Sequence, residues 1–441
     1  MLTLVGSAAC GPAPDDDVRV VGHAKISALH GGFRGELTDD AIFGRAVEAL
    51  GDLDGDGVPE VAVGAPGFRQ DEGVLWLLSL AADGTVSRQV RIGGDSLGDD
   101  PPSARSAFGG ALARLGDLDG DGVTDLLVGA ARDRQDGLET GSVRVLMLDG
   151  SGGVRRSTKI APGAGGFTGH VDVGDFFGVS VAALGDLDGD GVADAAVGAR
   201  RNGGGESGDA AAGENTGAVW LLFLTRDGGV RAHRKIGATS GDLAGALAGG
   251  DEFGQSVASL GDLDGDGVPD LAVGAFRDDD GGTNRGAVWL LFLQRDGQVK
   301  SFTKISQTSG GFGGALNDNG LFGSGLALLG DLDCDGLPEL GVGQRRSNDG
   351  GPDTGAVWIL SLRRDGRVAR HARIGRSADG LAGALAPAGE FGYVLTTPGD
   401  LDGDGSTDLV VGQIFDDDGG SNRGSVWILF LRTREPDCRA G

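Results

Sequence analysis

Carboxylates recur at fixed spacing in six stretches of this 441-residue chain, and that spacing suits a metal ion. The fourth stretch, residues 261–270, reads GDLDGDGVPD, and the others begin at Gly51, Gly116, Gly185, Gly330 and Gly399. After its leading glycine, each stretch has acidic residues at loop positions one, three, five and nine and a glycine at position six. Ca²⁺ prefers six to eight oxygen ligands at about 2.3–2.6 Å in a tolerant geometry. The pattern therefore predicts six calcium loops.

Five groups in each loop are candidate ligands: the carboxylates at positions one, three, five and nine, and the backbone carbonyl at position seven. In loop order they are Asp52, Asp54, Asp56, Val58 and Glu60; Asp117, Asp119, Asp121, Val123 and Asp125; Asp186, Asp188, Asp190, Val192 and Asp194; Asp262, Asp264, Asp266, Val268 and Asp270; Asp331, Asp333, Asp335, Leu337 and Glu339; and Asp400, Asp402, Asp404, Ser406 and Asp408. The glycine at position six permits the sharp bend that turns the next carbonyl inward.

An EF-hand and a turn that binds no metal are two other interpretations of these loops. An EF-hand needs flanking helices and a glutamate at position twelve, but position twelve of the fourth loop is Val273, within the strand-like stretch LAVGA. A turn rich in Asp and Gly that binds nothing is the simpler alternative. Four clustered carboxylates repel one another unless a cation neutralises them, so six such loops favour calcium.

The chain is strongly acidic, with a formal net charge of −27, while 39% of its residues are hydrophobic and regularly patterned. Lys and Arg are scattered, so the basic surface of a nucleic-acid-binding protein is absent from the sequence. No segment approaches the roughly 20 apolar residues of a membrane-spanning helix. Much of the acidity is explained if the loops hold divalent cations.

The first 17 residues differ from the rest of the chain. Residues 1–9 are apolar, and Cys10 follows them before a polar segment containing Pro. This stretch resembles the end of a bacterial lipoprotein signal, with Cys10 as the residue that would carry the lipid. A disordered N-terminus is the alternative. We expect residues 1–17 to lie outside the folded domain, which spans 18–431, with a tail at 432–441, in a protein that is secreted or held at the bacterial cell surface.

From residue 18 onward the chain is one unit repeated six times. Each repeat opens with Phe-Gly, at Phe43, Phe108, Phe177, Phe253, Phe322 and Phe391. An apolar stretch, the acidic loop, a second apolar stretch, a polar loop, a run such as AVWLLFL, an Asp-Gly turn and an alternating strand then follow in most copies. Four short antiparallel strands per repeat predict an all-β, six-bladed β-propeller.

The two ends of the chain complement each other. Residues 18–26 align with the fourth strand of a repeat, and the last repeat stops after its third strand. We therefore expect the N-terminal strand to pair with the C-terminal blade and close the ring, which covers both sheet edges.

The repeats resemble the FG-GAP repeats of integrin alpha-chain propellers and their bacterial relatives. The resemblance rests on Phe-Gly, on the acidic loop and on the Gly-Ala segment after it, of which Gly64-Ala65-Pro66 is the literal copy. It implies calcium in all six loops and a binding or adhesion role for a monomer outside the cell. It also implies that an unknown protein or glycan binds the face opposite the acidic loops. Integrin propellers have seven blades, whereas this chain has six repeats.

An enzyme is the alternative function, because some FG-GAP proteins resemble lipases or polysaccharide lyases. His23, His233 and His371 share one outer-strand position that other repeats fill with other residues, which argues against one catalytic site. A tryptophan recurs in the third strand and predicts packing between blades, but Arg144 replaces it in the second repeat. Arg144 either extends to an edge or pairs with an acid. The recurring Phe or Leu of the connectors is predicted to fill the groove between blades.

The sequence allows a disulfide between Cys334 and Cys438 of an exported chain, and two unrelated thiols are the alternative. Cys334 lies on the face of the acidic loops, and Cys438 follows Leu431, the end of the last strand, by seven residues that each reach at most about 3.3–3.6 Å. Such a bridge would stabilise the fold by roughly 2–4 kcal/mol. Alkylation without reductant followed by mass measurement should leave both cysteines unlabelled, whereas C334S should expose Cys438 to the label. Two labelled thiols in the parent protein would end the hypothesis.

Overall fold

The structure is a computed structural model that describes residues 18–203, 215–239, 243, 245–377 and 380–433. These residues form six four-stranded antiparallel sheets arranged as the blades of a propeller, as the repeats predict. The first strand of each blade lines the central axis, and the fourth lies at the outer edge. Among the described residues no helix is long and apolar enough to cross a membrane.

The strands of each blade follow one another along the chain, except in the last blade. Blade 1 contains β2 (Ala46–Gly51), β3 (Glu60–Ala65), β4 (Val74–Leu80) and β5 (Val86–Ile92). Blade 2 contains β6 (Phe108–Gly116), β7 (Asp125–Ala130), β10 (Ser142–Leu148) and β11 (Val154–Ile160), with a small hairpin, β8 (Arg134–Gln135) and β9 (Leu138–Glu139), between its middle strands. Blade 3 contains β12 (Phe177–Gly185), β13 (Asp194–Ala199), β14 (Ala218–Leu224) and β15 (Val230–Gly237).

The remaining blades repeat this order. Blade 4 contains β16 (Phe253–Gly261), β17 (Asp270–Ala275), β18 (Ala287–Leu293) and β19 (Val299–Ile305). Blade 5 contains β20 (Phe322–Leu328), β21 (Glu339–Gln344), β22 (Ala356–Leu362) and β23 (Val368–Gly375). Blade 6 contains β24 (Phe391–Gly399), β25 (Asp408–Gln413), β26 (Ser425–Thr433) and β1 (Val18–Ile26). Gly94–Ser96 forms a single 3₁₀ turn, and Phe68–Asp71 forms a short turn in which Arg69 and Gln70 have left-handed backbone angles.

Burial explains why the strands differ in composition. The third strand of blade 4, Ala287–Leu293, is buried at every position because neighbouring blades cover both of its faces, so it is a continuous apolar run. The fourth strand, Val299–Ile305, is buried only at its ends, and its middle positions are exposed or half-buried because it lies at the outer edge of the blade. The position of a strand in the blade thus explains why the third strand carries a tryptophan and the outer strand carries polar residues.

The ring closes as predicted, with the N-terminal strand completing the last blade. Strand β1 pairs antiparallel with β26, so that Ile26 lies opposite Val426 and Lys25 opposite Trp427. A register shift between Val20 and Gly22 interrupts the ladder. One blade is therefore built from both ends of the described chain, which removes two sheet edges.

The Phe-Gly pair of each repeat joins its blade to the preceding blade. Each phenylalanine is completely buried and forms a parallel bridge with the glycine before the preceding blade's third strand. The bridges are Gly73 with Phe108, Gly141 with Phe177, Gly217 with Phe253, Gly286 with Phe322, Gly355 with Phe391 and Gly424 with Phe43. At the same interface a Cβ added to Gly64 would collide with the carbonyl oxygen of Gly109. The Phe-Gly and Gly-Ala segments therefore mark places where two backbones touch.

The connectors fill the space between blades, which confirms the prediction from their recurring aromatic residue. Phe33 lies 5.3 Å from the ring of Trp76 in an edge-to-face arrangement and 4.9 Å from Phe43. Phe167 and Phe312 make the same contacts in blades 3 and 5, at 5.1 Å from Trp220 and Trp358. Edge-to-face pairs of this kind add stability beyond area burial.

Arg144, the exception at the tryptophan position, pairs with an acid. Its side chain is only 1% exposed, and its Nη2 lies 3.3 Å from Oδ2 of Asp100, in the connector that precedes blade 2. Its Nη1 reaches Ser157 Oγ at 3.5 Å. The second of the two sequence alternatives is therefore correct, and this pair takes the place of an aromatic contact.

Replacing the glycine at a blade-to-blade contact should destabilise the propeller. We expect G64A to lower the free energy of unfolding by about 1–3 kcal/mol, because the new methyl group meets the Gly109 carbonyl. Gly203 is the matched control, since a Cβ there meets nothing within 4 Å, and G203A should change stability by less than about 0.5 kcal/mol. Equal urea midpoints for the two variants would contradict the prediction.

Candidate metal centres

Each acidic loop connects the first and second strands of a blade, so all six lie on one face of the propeller, named here the acidic-loop face. The position-one aspartate holds the loop in shape. In the fourth loop, Asp262 Oδ1 accepts the N–H groups of Gly265 at 2.8 Å and Asp266 at 2.9 Å, and its Oδ2 accepts that of Gly267 at 2.8 Å. The alternating carboxylates and glycines fold this loop because Asp bonds to backbone a few residues ahead.

Three of the four predicted carboxylates converge. In the first five loops, oxygens from positions one, three and nine lie within 4.8 Å of one another. The groups are Asp52, Asp54 and Glu60; Asp117, Asp119 and Asp125; Asp186, Asp188 and Asp194; Asp262, Asp264 and Asp270; and Asp331, Asp333 and Glu339. In the sixth loop, Asp400 and Asp408 accept the corresponding backbone bonds.

The position-five aspartate is not a member of these groups of three. In the fourth loop, Asp266 Oδ1 instead accepts the N–H of Val268 at 2.9 Å. Position five therefore shapes the turn, and its role as a ligand, like that of the carbonyl at position seven, stays a prediction.

The position-nine acid is buried and connects the loop to the sheet. Asp270 accepts the N–H of Leu263 and that of Leu293 in the third strand, both at 3.1 Å. Desolvation raises the pKa of Asp125, Asp194, Asp270 and Asp408 to about 6, although backbone N–H donors oppose the shift. Ionising such a buried group costs free energy, and a nearby cation would offset that cost by stabilising the carboxylate.

The two loops that end in glutamate are connected differently. Glu60 accepts the N–H of Leu53 at 2.7 Å, but the N–H of Leu80 in the third strand donates to the carbonyl of Pro59. Glu339 accepts the N–H of Leu332 at 2.5 Å, and burial raises its pKa to about 7. The extra methylene thus changes how the ninth residue is held.

Each acidic loop also meets a basic side chain that the sequence analysis missed. Arg88 reaches Asp54 at 2.7 Å, Arg155 reaches Asp119 at 2.9 Å, and Lys300 reaches Asp264 at 2.7 Å. Arg231 and Arg370 make the corresponding contacts with Asp188 and Asp333, while in the sixth loop Arg432 of the third strand reaches the position-five Asp404. The signal was present in the sequence, because a basic residue follows the Asp-Gly turn at nearly the same distance in most repeats. These cations partly neutralise the carboxylates from the outer edge.

The donor set fits a hard divalent cation such as Ca²⁺. Each group offers several carboxylate oxygens from one short loop, one of them buried with a raised pKa. Oxygen donors in a flexible turn suit Ca²⁺ better than a metal that prefers sulfur or nitrogen. An ion bound there would neutralise the charge of the loop carboxylates and so stabilise the loop.

Acids on the opposite face are partly structural. Asp278 is 2% exposed, and its carboxylate lies 2.7 Å from Lys304 Nζ, which also approaches Asp280 at 2.9 Å. Lys25 binds Asp416 and Asp418 in the same way, at 2.7 and 2.8 Å. The family resemblance implies that this face binds a ligand, and within it Asp278 and Asp416 are buried partners of lysine.

The three histidines at one outer-strand position pack on tryptophans. His23, His233 and His371 lie 5.3, 5.4 and 5.6 Å from Trp427, Trp220 and Trp358, measured between ring centroids. Burial lowers the pKa of His233 and His371. Their contacts are those of packing residues.

Two of the cysteine predictions fall on residues that the structure does not describe. Cys334 is disulfide-bonded. Cys10, the predicted lipid carrier, and Cys438, the predicted disulfide partner, lie outside the described residues. The pairing of Cys334 with Cys438 therefore stays a prediction.

Comparisons with known proteins agree with the repeat pattern. The FG-GAP repeat family model matches residues 43–78, 108–146, 177–222 and 253–291. The chain is 31% identical to integrin alpha-3 of Cricetulus griseus over 218 residues, which is 49% of this chain and 18% of that protein. It is 30% identical to integrin alpha-PS2 of Drosophila melanogaster over 252 residues, 55% of this chain and 16% of that protein. The matched regions thus span less than a fifth of these relatives.

Removing the buried lysine partner on the opposite face should destabilise the fold. We expect K304M to lower the free energy of unfolding by about 2–3 kcal/mol, because it leaves the Asp278 carboxylate buried without its counter-ion. The expected loss is smaller than for a fully buried pair because Lys304 keeps some solvent contact. The control is D279N in the same loop, where the exposed side chain retains an oxygen for the N–H of Asn284. Urea unfolding of both variants measures the difference. A K304M midpoint equal to that of D279N would show that the pair is a surface contact.

Proposed function

Since this chain is an FG-GAP repeat β-propeller of the integrin alpha-like kind, we propose that it is an exported calcium-binding module that attaches to a partner outside the cell. The observation that carries the proposal is the convergence of three carboxylates in the acidic loops, on one face of the propeller. The calcium is structural, and the partner, a protein or a glycan, binds the opposite face. The protein acts as a monomer.

Electrostatics supports calcium binding. Each of the first five loops holds carboxylate oxygens within 4.8 Å of one another, and one basic side chain offsets only part of their charge. A divalent ion would relieve the repulsion and favour ionisation of the position-nine acid. The same acid binds backbone of the third strand, so the ion's charge acts at the junction between loop and blade.

An extracellular location fits this use of calcium. Extracellular modules bind Ca²⁺ with dissociation constants of about 10⁻⁴–10⁻³ M, which suits a compartment where the ion is abundant. Lipid attachment at Cys10 would hold the protein at a bacterial surface, while release of the same domain would make it secreted. The acidity of the chain disfavours nucleic acid as a partner.

The alternative is a polysaccharide- or lipid-cleaving enzyme. The histidines that sequence analysis considered are packed on tryptophans in three different blades, and no observation gathers them with a nucleophile among the described residues. Cleavage of polysaccharides or lipid esters by the pure protein, abolished by one substitution outside the acidic loops, would favour the enzyme.

Removal of calcium should lower the melting temperature. An ion that binds only the folded state adds about 2.7 kcal/mol per site at a hundredfold excess over its dissociation constant. Excess EGTA should therefore shift thermal unfolding downward, and added Ca²⁺ should restore it. We expect the loops closed by Glu60 and Glu339 to fill last in a calcium titration, since their ninth residue is held differently.

Single-loop variants provide the control. D262N should reduce the bound calcium by one ion per chain, by elemental analysis, while D279N on the opposite face should leave the number unchanged. A melting temperature that EGTA does not alter, together with no calcium in the purified protein, would overturn the proposal.

A further inference from the structure

The propeller axis contains a channel whose opening on the face opposite the acidic loops is rich in arginine. A cavity of about 330 Å³ runs between the first strands of the blades, and a second cavity of about 270 Å³ adjoins it. Both are lined by Arg45 and Tyr393, so they adjoin at these two side chains. The second cavity, named here the arginine mouth, is also lined by Arg132, Arg200, Asp71 and Phe176.

Two of the three arginines of the mouth, Arg45 and Arg200, are stacked on aromatic rings, as is the neighbouring Arg345. The guanidinium of Arg45 lies 4.3 Å from the centre of the Tyr393 ring, and that of Arg345 lies 4.9 Å from the same ring. Arg200 lies 5.1 Å from Phe176. Stacking fixes the planes of these guanidinium groups, which leaves their N–H edges oriented for a planar acceptor.

The positive charges of the mouth are not balanced by its own acids. Three arginines and one carboxylate, Asp71, line the cavity, and Asp71 lies 3.7 Å from Arg132. Arg45 donates to the carbonyl of Gly110 at 3.0 Å, and Arg200 donates to Gln255 Oε1 at 2.8 Å. Burial lowers the pKa of Arg45 and Arg200, and repulsion from neighbouring arginines adds to it. An anion in this cavity would therefore be strongly attracted.

Nearby side chains show what the arginines bind. Glu390 bridges Arg345 at 3.2 Å and Arg346 at 2.6 Å, and Glu252 lies 3.5 Å from Arg200 and 3.4 Å from Arg277. Both glutamates are almost fully buried. At the edge of the mouth, the protein's own carboxylates thus already lie between guanidinium groups. Charge-assisted hydrogen bonds of this type are strong.

The rest of the chain limits what can approach. With a net charge of −27, the protein repels dense polyanions, such as polyuronates or nucleic acids, at long range. A single carboxylate on a weakly charged segment avoids that repulsion and still meets the local excess of arginine. The aromatic faces that would stack on a neutral sugar are covered by guanidinium groups at Tyr393 and Phe176.

We infer that the arginine mouth binds one side-chain carboxylate, Asp or Glu, on a projecting segment of a protein partner. The inference rests on the proposed binding role and assigns it a site and a ligand class. The carboxylate enters between Arg45, Arg132 and Arg200, above the ring of Tyr393.

The single tyrosine of the chain offers a direct test. Full-length protein grown with 3-fluorotyrosine carries one ¹⁹F signal, at the floor of the mouth. The peptide acetyl-Gly-Gly-Asp-Gly-Gly-amide should shift that signal with a dissociation constant of about 1 mM, which is the strength of a few contacts, whereas the Asn-matched peptide should not. R45Q should abolish the shift, and R132Q, whose side chain is half exposed and safer for folding, should weaken binding several-fold. R156Q on the outer edge of blade 2 is the matched control and should bind normally.

Three outcomes would contradict the inference. Equal shifts from the Asp and Asn peptides would exclude carboxylate recognition, and a shift produced only by oligogalacturonate would assign the mouth to an acidic glycan. No shift from any probe, in protein whose melting temperature still falls in EGTA, would overturn this site while leaving the calcium-dependent module intact. Loss of the EGTA effect alone would instead contradict the proposed function.

Discussion

The close approach of backbones between neighbouring blades is the constraint on which the structure depends. The Phe-Gly of one blade lies against the Gly-Ala segment of the blade before it, at distances where a Cβ on Gly64 or Gly343 would overlap a carbonyl oxygen. Each phenylalanine is buried at the same junction. Because six such junctions close on themselves through β1 and β26, each blade's position depends on its neighbours around the ring. The motif is thus a consequence of how tightly the sheets pack.

That packing also separates the charges of the molecule onto two faces. The acidic loops lie together on one face, where backbone N–H groups and one basic side chain per loop hold the carboxylates near one another. On the other face, acids such as Asp278 are buried beside lysine, and arginines surround the channel. A chain with a large negative charge therefore presents a confined positive region at its axis. Because this positive region is enclosed, it favours a small anionic group that can enter the cavity over a large polyanion, which the net negative charge of the protein repels.

The proposed calcium sites and the proposed partner site lie on the same blades, on opposite faces. In the four loops that end in aspartate, the position-nine acid bonds both to its loop and to the third strand, and the third strand packs between neighbouring blades. An ion in the loop would therefore act on the same framework that sets the width of the channel. The proposed ion sites and the proposed ligand site thus use different residues of one shared framework.

The amino-acid sequence by itself determined the repeat, the strand order, the ring closure and the residues of the acidic loops. These follow from local rules: glycine where the chain must bend, alternation where one face is wet, and carboxylates at a spacing that a tight turn brings together. Convergence of positions one, three and nine was predictable because all three belong to one short loop. Only the tertiary structure decided the outcome for Arg144, Lys304 and the arginine mouth. Arg144 meets an acid from a connector 44 residues earlier, and the mouth joins side chains from different blades. Contacts between residues so far apart depend on the closed ring, which no local pattern encodes.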